Sequence, residues 1–205
     1  MNNLSPKELY DQKKKEKLGS EKKLEQFGKF KKFLIWLLVI LVVGGGIYWF
    51  IKRSREKIAE RKIYAVFYQT QSRDHITIGQ GHPAYNSNPP TSGPHYGNPA
   101  QKGIYKKELP DEQLIHNLEH GYIWISYRPS ASSEIIRQLE NFYGFSKKII
   151  VEPRAANDKI ISLVAWNWLD KFDPASGDSL DDAELKRIGD FIDAYINRGP
   201  EPNAP

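Results

Sequence analysis

Residues 33–51, FLIWLLVILVVGGGIYWFI, run nineteen positions without a charge. As a helix, such a run is long enough to cross a hydrocarbon core about 30 Å thick. Trp36 near one end and Tyr48 and Trp49 near the other suit the two membrane–water interfaces. Gly44, Gly45 and Gly46 are tolerated in a transmembrane helix. A cleaved signal peptide is the rival explanation. It fits poorly, because residues 1–32 precede the run and YWFIKRSREK after it offers no small-residue cleavage site. The expectation is an uncleaved signal anchor with a single transmembrane helix at 33–51.

The charge is distributed to match. Net charge is +5, and residues 1–32 hold ten lysines against five acidic residues, so the remainder is neutral. That removes the case for a basic, nucleic-acid-binding domain. The basic tail at 1–32 is expected to lie in the cytoplasm near anionic lipid, disordered or loosely helical. Nine Lys/Arg residues at 13–32 against six at 52–71 favour that orientation. Residues 52–62 read as a stalk, 63–198 as an extracytoplasmic domain, and 199–205 as a C-terminal tail. The expected location is thus the cell membrane, single-pass, with the C-terminal domain outside.

There is no cysteine, and the sole methionine is Met1. Thiolate-ligated zinc, iron–sulfur chemistry and thioether copper sites are excluded.

The first part of the domain, up to Lys107, contains GQGHPAYNSNPPTSGPHYGNPAQKG, a segment dense in Pro and Gly. Ordered loops of this length are usually functional. A short helix follows at about Asp111–His120, opened by Pro110 and stopped by Gly121. GYIWISYR reads as a strand with alternating faces, and SSEIIRQLENFYG as a helix capped by Ser132 or Ser133. KKIIVEP and KIISLVAW read as two more strands. A last helix spans Asp181–Asn197, with Asp181 and Glu184 spaced as a capping box. The expected class is α+β: a small, mostly antiparallel sheet, two packing helices and a long Pro/Gly-rich loop, preceded by one transmembrane helix.

All five histidines, His75, His82, His95, His116 and His120, fall between residues 75 and 120. His116 and His120 are four apart in HNLEHG and so share a helical face, able to chelate one metal. The stretch also matches H-x-x-E-H, an inverted zincin pattern, but the helix stops too soon for such a peptidase. A polar helix end, with His120 favoured by the helix dipole, is the plainer alternative. PPTSGPH, residues 89–95, stiffens the chain just before His95, as a preorganised ligand requires. Ser92 reads as a turn residue, without the G-x-S-x-G context of a nucleophile.

PPTSGPH followed by HNLEHG, a YxWISY-type strand and a late AW strand resembles the bacterial DUF3105 domain family, over roughly residues 70–198. The matching positions are Pro89, Pro90, Gly93, Pro94, His95, His116, Glu119, His120 and Gly121, with His75 in RDHI. The resemblance implies a membrane-anchored or exported protein and no established activity. Three or four imidazoles without sulfur suit zinc or copper. The expected ligands are His95, His116 and His120, with His75 or His82 as a fourth. Glu119 projects away from His120 and is expected to support the histidines or act as a base. The alternatives are an envelope module binding a protein or small ligand, and an enzyme pairing His with Glu119. Tyr85, Tyr96, Tyr105, Tyr122, Trp124, Trp166 and Trp168 could line a groove, although such aromatics are more often core.

Overall fold

The computed structural model of the protein describes residues 6–59, 61–144 and 148–203. The first five residues of the tail, Lys147 of the KKIIVEP segment and the last two residues lie outside the described residues.

The chain divides into two compact units, Met1–Arg61 and Lys62–Pro205. The first is one long helix, α1 (Pro6–Ala59). Within it, Lys31–Glu56 holds an apolar stretch of mean hydropathy 2.5 and is long and apolar enough to cross a membrane. The helix continues unbroken through Gly44–Gly46. Glycine costs about 1 kcal/mol per residue in a water-exposed helix, and here the apolar neighbours on both sides are themselves helical.

The second unit is built on a six-stranded sheet. In chain order its elements are β1 (Val66–Phe67), β2 (His75–Ile76), β3 (His95–Tyr96), β4 (Gly103–Ile104), α2 (Asp111–Glu119), β5 (Ile123–Tyr127), α3 (Ser133–Glu140), β6 (Ile149–Pro153), β7 (Ile161–Ala165), β8 (Trp168–Phe172) and α4 (Asp182–Tyr195). The large sheet has the order β1-β8-β7-β5-β6-β4, while β2 and β3 form a separate parallel pair. The three pairings β1–β8, β8–β7 and β7–β5 are antiparallel. Those of β5–β6 and β6–β4 are parallel. The β5–β6 pairing follows from α3, which provides the crossover that parallel neighbours need.

Two cores sit on opposite faces of this sheet. Ile123, Ile125 and Tyr127 of β5 join Val151, Leu163 and the apolar stripes of α3 and α4, including Leu139, Ile188 and Phe191. Trp124 of the same strand faces Ile150, Val164 and the α2 residues Leu114, Ile115 and Leu118. The expected alternation in β5 is therefore present, but its second face is covered as well, and all five residues are buried. Burying each large aliphatic side chain contributes roughly 1.5–3 kcal/mol.

Local signals hold where they were read. Ser132 Oγ accepts from Ile135 N at 3.1 Å to cap α3, and Asp181 and Glu184 form a complete capping box on α4. Each cap contributes about 1 kcal/mol. β8 follows β7 through a tight turn in which Asn167 takes φ 68°, a conformation Asn tolerates better than most residues.

The Pro/Gly-rich loop is folded against the α2 side of the sheet. Pro89 through Gly93 are buried, and Tyr85 donates from its hydroxyl to Pro94 O at 2.7 Å. Gly93 sits at φ +131°, where an added Cβ would lie 2.8 Å from the Tyr85 ring. Ser92 Oγ accepts from Gln71 N at 3.2 Å, which ties the loop to a segment 21 residues earlier in the chain.

Candidate metal centre

The two-residue ladder of β2 and β3 sets His75 directly opposite His95, and His95 N donates to Asp74 O at 2.9 Å. The histidines therefore emerge on one side of the ladder and Ile76 and Tyr96 on the other. The last turn of α2 comes up against this side carrying His116. From Leu114 to His120 the helix is buried all round. Its apolar stripe faces the sheet, and Asn117 on the other side clasps the loop. Asn117 accepts from Ala100 N at 2.9 Å and donates to Ala100 O at 2.7 Å. Gly121 then ends the helix at φ +77°, with no room for a Cβ beside Asn197 Cα, 2.7 Å away.

Ligand atoms from His75, His95 and His116 all lie within 4.8 Å of one another. The His75 and His116 rings are stacked, 4.9 Å between centroids and 14° apart in plane, and His95 meets both edge-on. His120 joins from one turn further on, its Nε2 3.1 Å from His116 Nε2.

The outer hydrogen bonds fix the protonation of two rings. His95 Nδ1 lies 2.8 Å from Gly93 O and His116 Nδ1 lies 2.6 Å from Tyr96 O. A carbonyl oxygen can only accept, so each Nδ1 carries the hydrogen. In neutral His116 Nε2 is then a bare lone pair, the form in which histidine binds metals, whereas His95 Nε2 faces the Glu119 carboxylate and donates to it until a metal takes the place of that hydrogen. Burial is the main influence holding the His116 imidazole below its ordinary pKa, with the positive charge of its histidine neighbours adding to it and the Tyr96 carbonyl opposing. His120 is likewise lowered, chiefly by burial, against the pull of Glu119 and Glu201.

Glu119 is the carboxylate of the cluster. Its Oε2 lies 3.1 Å from His95 Nε2 and 3.9 Å from His75 Nε2, while Oε1 accepts from Arg73 Nε at 2.5 Å. Burial works to raise its pKa, yet the Arg73 hydrogen bond and the charges of His95 and Arg73 together hold it below the usual carboxylate value. Arg73 is braced in turn by Glu201. The chain end closes over the same corner: Glu201 N donates to Glu119 O at 2.9 Å, and Lys148 Nζ bridges His120 O and Pro202 O.

Of the histidines singled out from the sequence, the structure brings together His75, His95, His116 and His120. His82 lies apart, with Nε2 3.3 Å from Glu112 Oε1 and its ring packed on Tyr85. The aromatic groove does not form: Trp124 and Trp166 are core residues, with Tyr85, Tyr105 and Tyr122 packed against them, and Trp168 packs on the opposite core. Tyr96 lines a cleft of about 480 Å³ with Ile76, Ile78, Gly97 and Gln113. Arg73 went unread in the sequence. Its signal was its place two residues before His75 in RDHI, which in extended chain puts both side chains on one side.

The family described as "Protein of unknown function (DUF3105)" matches residues 78–205. That span takes in His95, His116, Glu119 and His120 and begins three residues after His75. No match is found among curated proteins or among solved structures.

Proposed function

The chain belongs to the DUF3105 family, whose description assigns no activity, and we propose from the residues themselves that it is a membrane-anchored extracytoplasmic protein that binds a divalent transition metal. His75, His95, His116 and His120 supply the donors, Arg73 holds the Glu119 carboxylate beside Nε2 of His95, and zinc or copper suits an all-nitrogen set without sulfur. α1 anchors the protein by Lys31–Glu56, with the lysine-rich tail in the cytoplasm and against anionic lipid.

One observation carries this proposal: His95 and His116, each with Nδ1 committed to a main-chain carbonyl, leave Nε2 as the nitrogen for a metal, and ligand atoms of these two and of His75 lie within 4.8 Å of one another. A tetrahedral zinc–imidazole site, with bonds of about 2.0–2.1 Å, needs nitrogen separations of roughly 3.4 Å. The His116–His120 separation of 3.1 Å is already near that, and the wider triad closes to it by a movement of side chains. An acid–base enzyme is favoured by one contact, between His95 and Glu119. Both side chains are enclosed, however, at 0% and 2% exposure, which keeps a substrate from the pair.

Metal analysis of the full-length protein, purified in detergent without a polyhistidine tag or chelator, tests the proposal. Near-stoichiometric zinc or copper that disappears in the His116→Ala/His120→Ala variant is expected. No bound metal after reconstitution with either ion would refute it.

A further inference from the structure

The donors of this site are held very unequally. The His95 side chain is fully enclosed and His116 and His120 nearly so, whereas His75 is 56% exposed. Main-chain carbonyls anchor Nδ1 of His95 and His116, but no described residue hydrogen-bonds either ring nitrogen of His75. Glu119 Oε2 stands 3.9 Å from its Nε2. The strand beneath it is equally slight: β2 has two residues and pairs with β3 alone. It then gives way to the exposed turn of Ile78 and Gly79, the latter at φ 84°. The other edge of the His75 ring borders Gly97, where an added Cβ would stand 3.9 Å from Nδ1. Gly97 in turn lines the cleft beside Ile76 and Tyr96. One wall of the site is thus a single unbraced imidazole between the enclosed donors and solvent.

We propose that His75 is the exchangeable ligand of the site, the one through which metal enters and leaves and whose place a small donor from solution can take. This rests on the metal-binding proposal above. In the exchange one metal–nitrogen bond breaks, its electron pair returning to the His75 ring. One bond forms from the incoming donor, which supplies its own pair, and no charge changes when that donor is neutral. The departing ligand should be the one whose release strains least, and outer hydrogen bonds of the kind His95 and His116 possess are what hold a ligating ring in place. A site with a replaceable ligand suits handing metal on, or admitting a reactant, rather than a purely structural role.

Cobalt(II) provides the probe, because its visible bands report ligand number. The full chain in detergent, freed of metal, is titrated with cobalt as wild type and as His75→Ala, His95→Ala and His116→Ala, each with and without millimolar imidazole. His75→Ala is expected to bind cobalt with altered bands that imidazole returns to the wild-type spectrum. His95→Ala and His116→Ala are expected to lose the bands and stay unrescued, since their sockets are closed to solvent. A wild-type spectrum in His75→Ala, no rescue of it, or equal rescue of all three overturns the assignment of His75 while leaving metal binding intact. Failure of the wild-type protein to take up cobalt, zinc or copper overturns both. A second measurement needs no variant: in the metal-free protein diethyl pyrocarbonate should modify His75 fastest of the four clustered histidines, and equal rates would overturn the proposal.

Discussion

His116 and His120 direct their Nε2 atoms at one another across 3.1 Å, one helical turn apart. Because the Tyr96 carbonyl holds the hydrogen of His116 on Nδ1, the facing Nε2 of His116 can only accept. In the metal-free protein His120 can answer by donating its own Nε2 hydrogen. A bound cation would take both Nε2 lone pairs, with the hydrogen of His120 carried on its Nδ1 instead. The pair is therefore a poised contact, satisfied in either state.

Metal should stabilise the domain by mass action. Zinc at a hundred times its dissociation constant adds about 2.7 kcal/mol, which corresponds to a rise in melting temperature of about 5–10 °C for a domain of this size. Tryptophan fluorescence during heating would record it. Chelator should reverse the rise, and the His116→Ala/His120→Ala protein should not respond at all.

Arg73→Ala removes the guanidinium that binds Glu119 Oε1 at 2.5 Å and leaves every histidine in place. Loss of such an outer partner weakens metal binding about 10–100-fold. Competition against a chromophoric chelator measures this directly, and an unchanged affinity would remove Arg73 from the site.

Three glycines should respond differently to the same change. Gly93→Ala meets the Tyr85 ring at 2.8 Å and an unfavourable φ, and Gly121→Ala meets the Asn197 main chain at 2.7 Å. Each should cost more than about 2 kcal/mol in urea unfolding. Gly97→Ala finds its nearest neighbour at 3.9 Å without a left-handed backbone, and should stay within about 0.5 kcal/mol of wild type.

Glu152 on β6 makes stability depend on alkaline pH. Burial raises its carboxyl to about 8, helped by the negative charges of Asp111 and Glu108, while the bond from Leu109 N at 2.7 Å opposes. A carboxyl whose folded pKa lies above its unfolded value binds its proton more tightly when folded. That contribution is complete below about pH 4.5 and is lost progressively as pH rises to about 8. Glu152→Gln, which cannot ionise, should therefore gain stability relative to wild type as pH climbs from 5 to about 9, by an amount on the order of a few kcal/mol. Parallel unfolding curves for the two proteins at all pH values would contradict it.

Much of this was legible because it is local. An uncharged run at 33–51, the four-residue spacing of His116 and His120, and Asp181 with Glu184 each specify their geometry within a few residues of chain. The Pro/Gly-rich loop was also legible as an ordered presenter of His95. What could not be read was long-range. Nothing in the sequence states that His75 pairs in register with His95, because a two-residue ladder has no periodicity to detect. The same brevity hid β1 and β4. β8 was missed because its turn uses Trp166 and Asn167, without the glycine that usually announces a hairpin. The second, covered face of β5 went unseen although Leu114, Ile115 and Leu118 mark a buried side on α2, because nothing in the sequence says which face of the sheet that helix meets. Choosing between His75 and His82 required the same long-range knowledge.

Glu201 and Pro202, which close over Glu119 and His120, lie 82 positions beyond them in sequence. Synthesis runs from the N-terminus, so every histidine is made long before the segment that covers it. The corner of the site formed by the end of α2 is therefore enclosed only after all four clustered histidines are already in place.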